Sequence, residues 1–199
     1  MLICAIDPGL KGALAIYDPD FNFLHTAPLP TRWRMVAGKK RFEIDIPALR
    51  AELTKWPITK FLVEEPGAMS GMGVTSSFSF GVSCGAVMAA VETYIAGQLE
   101  HVPLLRVFPA VWKTAMKVPS DKNRAREAAT RLFPVHGADQ WRVQADEGRA
   151  EAALLAWYAV NARDIKQKER TPYVKGQRKS TAKKAARKNT KVASRTTKL

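Results

Sequence analysis

Two short apolar runs in this chain each end on an acid: Leu2-Ile3-Cys4-Ala5-Ile6 before Asp7, and Phe61-Leu62-Val63 before Glu64. Runs of this length bounded by turn residues read as buried strands rather than helices. A carboxylate at the end of a buried strand is costly to place, and two in one apolar setting repel each other unless a cation stands between them. If the strands lie side by side, the fold collects negative charge at one edge, where a hard divalent ion would offset it.

The rest of the chain supplies partners for those strands. Residues 12–17 form a second apolar run after the Asp7-Pro8-Gly9 turn, and residues 21–27 a third. Residues 28–41 hold two prolines and five basic side chains, Arg32, Arg34, Lys39, Lys40 and Arg41, and are assigned no element. Asp45 is placed to cap a helix to about Lys55, with Pro47 in its first turn and Ile46, Leu49 and Leu53 at helical spacing. A strand over 60–64, a helix from the end of the Gly/Ser-rich loop 67–77 to about Leu99 and a strand over 103–108 follow. Ser120 or Asp121 caps a helix to about Phe133, and a last helix covers 146–161. Three strands in a meander, then helix and strand in alternation, imply an α/β fold: a mixed five-stranded sheet flanked by helices, in the order of a ribonuclease H-like fold.

With 199 residues and 46% hydrophobic side chains, the chain can bury one substantial core. Its formal charge of +14 is unevenly spread. Residues 1–162 carry 18 Lys and Arg against 16 Asp and Glu, a balance of +2, whereas residues 163–199 carry 14 against 2, a balance of +12. The expectation is one compact domain over 1–162 and a basic, disordered tail over 163–199, too poor in apolar residues to offset the entropy of ordering. Such a tail suits counterion-releasing contact with nucleic acid phosphates, and it lacks the apolar face of a membrane anchor. Cys4 and Cys84 have no disulfide or zinc spacing, and neither a secretion signal nor a membrane-spanning segment is expected. A reducing, cytoplasmic setting follows as the expectation.

A third acidic group, Asp146-Glu147-Gly148-Arg149-Ala150-Glu151, opens the last helix. Glu147 and Glu151 stand four residues apart and share a face, where like charges destabilise a helix. Asp146 and Glu147 alone are also what a solvated helix N-terminus favours, but Glu151 leads into Ala152-Ala153-Leu154-Leu155 and so heads toward the core. The segment Asp7-Pro8-Gly9-Leu10-Lys11-Gly12 by itself is equally a turn, or the phosphate loop of an actin-like ATPase. The acidic last helix would repel nucleotide phosphates, and no second glycine-rich phosphate loop is evident. His25, His101 and His136 have no ligand spacing, and no nucleophile–histidine arrangement is apparent. Phe78 and Phe80 read as core residues in preference to contacts with unpaired bases.

Taken together, Ile6-Asp7-Pro8-Gly9, Val63-Glu64 with the segment Ala68-Met69-Ser70-Gly71-Met72-Gly73, Pro109-Ala110-Val111-Trp112-Lys113, Asp121-Lys122 and Gly148-Arg149-Ala150-Glu151 make the sequence resemble the RuvC-like Holliday junction resolvases, especially their compact phage-type branch. The likeness spans most of residues 1–160. It implies a structure-specific endodeoxyribonuclease that resolves four-way DNA junctions as a homodimer, using two magnesium or manganese ions and no small-molecule cofactor, in a bacterial or phage-infected cytoplasm. Carried over, the metal ligands are Asp7, Glu64, Glu147 and Glu151, with Asp146 as the rival of Glu147 and Glu65 facing away. The family usually has aspartates at the last pair. Lys113 and Lys122 match basic positions near the scissile phosphate, and Lys117 and Arg124 extend the DNA-binding face. The helix over 74–99 is the expected dimer surface. The alternatives are a broader flap and fork nuclease, or a junction-binding protein without catalysis.

Overall fold

The computed structural model of the protein describes residues 1–18, 20, 22–65, 67, 71–118 and 122–161. The expected tail, the capping residues Ser120 and Asp121, and the loop residues Ala68, Met69 and Ser70 lie outside the described residues.

Strands β1 (Leu2–Asp7), β2 (Ala13–Tyr17) and β3 (Phe23–Pro28) form the antiparallel meander. A two-stranded hairpin, β4 (Thr31–Val36) and β5 (Lys39–Ile44), precedes helix α1 (Ile46–Leu53). Asp45 caps α1 by accepting the amide of Ala48 at 3.1 Å. Strand β6 (Ile58–Glu64), helix α2 (Val74–Ala96), strand β7 (Leu104–Val107) and helices α3 (Pro109–Ala115), α4 (Lys122–Leu132), α5 (Pro134–Gln140) and α6 (Glu147–Asn161) complete the described chain. The main sheet runs β3-β2-β1-β6-β7, with β6 parallel to both β1 and β7. It is the mixed five-stranded sheet the sequence implies.

Alternation along the strands splits the interior into two cores, one on each face. Ile3, Ala5, Ala13, Ala15, Tyr17 and Leu62 point toward α4 and α6, whereas Cys4, Ile6, Leu14, Ile16, Phe61 and Val63 point toward α1 and α2. Small side chains on the first face let α6 approach closely, and α4 covers its outer side. That double cover explains why residues around nearly its whole circumference are buried, from Ala150 and Ala153 to Leu155 and Tyr158. On the second face Tyr94 ties α2 to the start of β6. Its hydroxyl donates to the Trp56 carbonyl at 2.9 Å and accepts the Ile58 amide at 3.0 Å.

Helix α2 is long and apolar enough to cross a membrane by length and composition. Here its buried residues, Ser83, Val87, Ala90, Val91 and Tyr94, begin only at its tenth position. Phe78 is therefore not a core residue: it is 74% exposed, as the helix presents its first turns to solvent. Phe80 is partly buried and lies beside Gly9.

The hairpin and the short helices α3 and α5 are the elements missing from the sequence reading. The hairpin turns at Ala37 (φ 49°) and Gly38 (φ 73°), two successive left-handed residues as a type I′ turn requires. Its root is fixed to the main sheet: Leu29 donates its amide to Gly12 at 2.9 Å, and Asp45 donates to Pro30 at 2.9 Å.

Two glycines of the helices respond oppositely to a methyl group. A Cβ on Gly148 would strike the carbonyl oxygen of Lys11 and crowd the Gly12 backbone at 3.3 Å, whereas one on Gly81 would meet open space. Gly148→Ala is expected to cost about 1–3 kcal/mol in urea denaturation, because backbone rather than a flexible side chain must move. Gly81→Ala, at an uncrowded helical position, is expected to gain about 0.5–1 kcal/mol in the same measurement.

Candidate active site

The register of the sheet brings the two strand-end acids together. Ile6 is level with Val63 on the parallel neighbour, so Asp7 and Glu64 leave adjacent strands at the same edge. Glu64 is 8% exposed and Asp7 partly buried. Helix α6 adds Glu147 and Glu151 because Gly148 seats its first turn on the Lys11–Gly12 backbone. The four carboxylates are electrostatically coupled at Asp7. Burial pushes its carboxyl well above the ordinary range, the charges of Glu64, Glu151 and Glu147 push it further, and Lys113 partly offsets them. Glu64 is also raised, first by burial and then by Glu151, against a lowering hydrogen bond from Trp112 and the charge of Lys113.

Helix α3 supplies both restraining groups. The indole nitrogen of Trp112, a fully buried side chain, donates to Glu64 Oε2 at 2.6 Å. One residue on, Lys113 Nζ stands 2.6 Å from Glu151 Oε1, with both side chains largely shielded from water. Such a pair is a charge-assisted hydrogen bond in poor solvent, stronger than a surface ion pair. The cluster borders a cleft of about 400 Å³ whose walls include Pro8, Glu64, Glu65, Phe80 and Cys84. The Cys84 thiol is pushed up to about 11 by burial and by the charges of Asp7 and Glu64.

Among the described residues no group of three or more histidine, cysteine or acidic side chains is arranged as a ready-made ion site. The donor set still fits a hard divalent cation. It consists of carboxylate oxygens, it is undercompensated by the one lysine acting on Asp7, and Asp7 is destabilised in the charged form. Glu151 would have to exchange its contact with Lys113 for the ion.

Of the residues singled out in the sequence, Asp7, Glu64, Glu147, Glu151 and Lys113 converge. Glu147 acts on Asp7, while Asp146 sits in a 3-10 turn, 3.8 Å from Arg149. Glu65, expected to face away, follows Glu64 with its amide continuing the pairing to Val107 one position past the strand end, and both residues border the same cleft. Lys117 is exposed in a left-handed conformation at the end of α3, with φ 54°. Arg124 is exposed on α4, and Lys122 begins that helix. The sequence gives Trp112 no role of its own. A tryptophan followed by lysine within a short apolar segment was the available signal, but the partner of its indole is 48 residues away.

No family model and no curated protein matches this chain. Among solved structures, T. thermophilus RuvC in complex with a Holliday junction substrate is similar with a TM-score of 0.56, over 82% of this chain and 95% of that one, at 19% identity. A second Thermus thermophilus RuvC structure matches over 79% of this chain and 94% of that one at 14% identity, with a TM-score of 0.47. The sheet order, the helices on its two faces and the first of these likenesses give one conclusion about architecture: the chain has the ribonuclease H-like fold of RuvC.

Proposed function

We propose that this protein is a metal-dependent endodeoxyribonuclease that cleaves four-way DNA junctions. The observation that carries the reading is the meeting of Asp7, Glu64, Glu147 and Glu151 at one end of the central sheet, where Lys113 offsets part of their charge. Asp7, Glu64, Glu151 and Glu147 would hold one or two magnesium or manganese ions, with Asp146 as the alternative to Glu147. When bound, such ions supply Lewis acidity toward a phosphodiester and toward the attacking water.

The remaining work belongs to the chain itself. Trp112 fixes the rotamer of Glu64, so that carboxylate is presented without a search through side-chain conformers. Once released from Glu151, Lys113 becomes a point charge for a non-bridging oxygen of the scissile phosphate. Lys122, Lys117 and Arg124 would extend the phosphate-binding surface, and the tail over 163–199 would add sequence-independent affinity sensitive to salt. A junction has near two-fold symmetry, which a homodimer would match. The exposed start of α2, with Val74, Phe78 and Val82, is the surface assigned to that contact. The likeness to a RuvC structure solved with a Holliday junction supports the choice of substrate. Restriction to a bacterial or phage-infected cytoplasm and membership of the phage-type branch remain part of the same proposal.

A second reading, a junction-binding protein without catalysis, is favoured by one observation: Glu64 and Glu151 already have Trp112 and Lys113 as partners.

Two measurements separate these readings. With a labelled immobile junction, a flap and a linear duplex in magnesium or manganese, paired symmetric nicks on the junction are expected from the wild type. Asp7→Asn is expected to lower that rate at least about 100-fold, the scale of losing one group that stabilises developing charge. Cutting of every branched substrate would indicate the broader nuclease, and tight junction binding without cleavage would leave the binding module.

Thermal melting tests the charge argument independently. Removing one carboxylate from an undercompensated cluster is expected to raise the metal-free melting temperature by about 2–6 °C. Magnesium at about 100 times its Kd is expected to raise the wild type by about 5–10 °C. Asp7→Asn should lose most of that ion-dependent rise.

A further inference from the structure

Only Ile44, at the base of β5, anchors the β4–β5 hairpin in a core, and every residue from Thr31 to Phe42 is exposed. Its strands alternate in chemistry although not in burial. One face presents Trp33 directly opposite Phe42, beside Met35, and these three side chains are 54%, 57% and 57% exposed. The ammonium of Lys40, on the same face, lies 4.6 Å from the centroid of the Trp33 ring. The other face carries Arg32, Arg34, Lys39 and Arg41. Glu43 braces two of them, accepting from Arg32 Nε at 2.9 Å and from Arg34 Nε at 2.7 Å. Five cations against one acid leave the hairpin at +4. Arg34 also stands directly opposite Arg41, a like-charge pair in which Glu43 bonds Arg34.

An exposed aromatic face on a strongly basic element admits few occupants. A second copy of the hairpin would bring +4 against +4. A strand of nucleic acid satisfies both faces, since bases stack on flat rings irrespective of sequence and phosphates take the guanidinium and ammonium groups. The location agrees. Pro28 is level with Ala13 and Ala13 with Asp7, so the arm leaves the sheet at the edge where the carboxylates gather. With six residues per strand it extends about 20 Å from that edge.

We infer that the β4–β5 hairpin is a DNA-gripping arm that stacks unpaired bases at a branch point on Trp33 and Phe42, while Arg34, Lys39 and Arg41 hold the adjoining phosphates. This rests on the branched-DNA nuclease reading for its biological substrate, but the binding it describes is measurable without cleavage.

The test uses full-length protein in metal-free buffer and fluorescence anisotropy on three labelled DNAs: a single strand, a four-way junction with a short unpaired centre, and a fully paired linear duplex. The W33A/F42A double variant alters no core residue, and thermal melting confirms that it is folded. It is expected to lose about 10-fold or more in affinity for the single strand and the junction, and less than about two-fold for the duplex, with an unchanged salt slope. The R34A/R41A variant is expected to weaken all three and to reduce the salt slope by nearly two. Unchanged affinity for the single strand in W33A/F42A, or an equal loss on duplex, would overturn the proposal. So would sedimentation showing that W33A/F42A dissociates a wild-type dimer, which would make the arm a contact between copies. Magnesium-dependent cleavage is scored separately on wild type. Binding through Trp33 and Phe42 without any cleavage removes the nuclease reading and leaves the arm. Cleavage by wild type, with W33A/F42A binding unpaired DNA as well as wild type does, removes the arm and leaves the nuclease.

Discussion

The contact between Gly148 and the backbone of Lys11 and Gly12 sets the geometry on which the rest of the site depends. Backbone against backbone is the closest approach a helix can make to a turn, and it exists here because Gly148 carries no Cβ. The same seating puts the acidic start of α6 above the ends of β1 and β6, brings Glu151 within reach of α3 and closes the core around Ala150 and Ala153. Packing and charge placement are therefore one constraint. Whatever holds the helix on the turn also holds negative charge at the sheet edge.

Holding it there opposes stability, and the opposition is local. The Asp7 carboxyl is destabilised in its charged form by burial and by three neighbouring acids, and its relief comes from Lys113. A cluster of this kind persists because two apolar cores, one on each face of the sheet, contribute far more than the repulsion costs. Trp112 and Lys113 connect the two sides of this balance. The indole is a large fully buried core side chain and at the same time the donor to Glu64, so α3 couples the packing of one core to the orientation of a site acid.

Much of this was legible before any coordinates. The strand-end acids stood out because a buried strand concentrates apolar residues and an acid at its end has no packing purpose. The last helix stood out because Glu147, Glu151 and the alanines after them share a 3.6-residue period. What escaped notice did so for physical reasons. The hairpin strands have no buried face from Thr31 to Phe42, so they lack the alternation by which a strand declares itself. Helix α3 is seven residues long, shorter than two full turns, and too brief to display a period. Phe78 was misread because its sequence neighbours are apolar, whereas burial along α2 begins at Ser83.

The root of the hairpin has a consequence of a different kind. Pro30 and Asp45, which bound it, are joined by a single backbone hydrogen bond, and Asp45 already serves α1 as its cap. The chain therefore leaves the body and returns to it at nearly one point, and apart from Ile44, which is buried in the second core, the body's fold places almost no demand on what lies between. Such a segment is an interchangeable cassette: its length, charge and aromatic content can drift or be replaced while the catalytic scaffold stays the same, so substrate preference and hydrolytic chemistry are free to evolve on separate tracks.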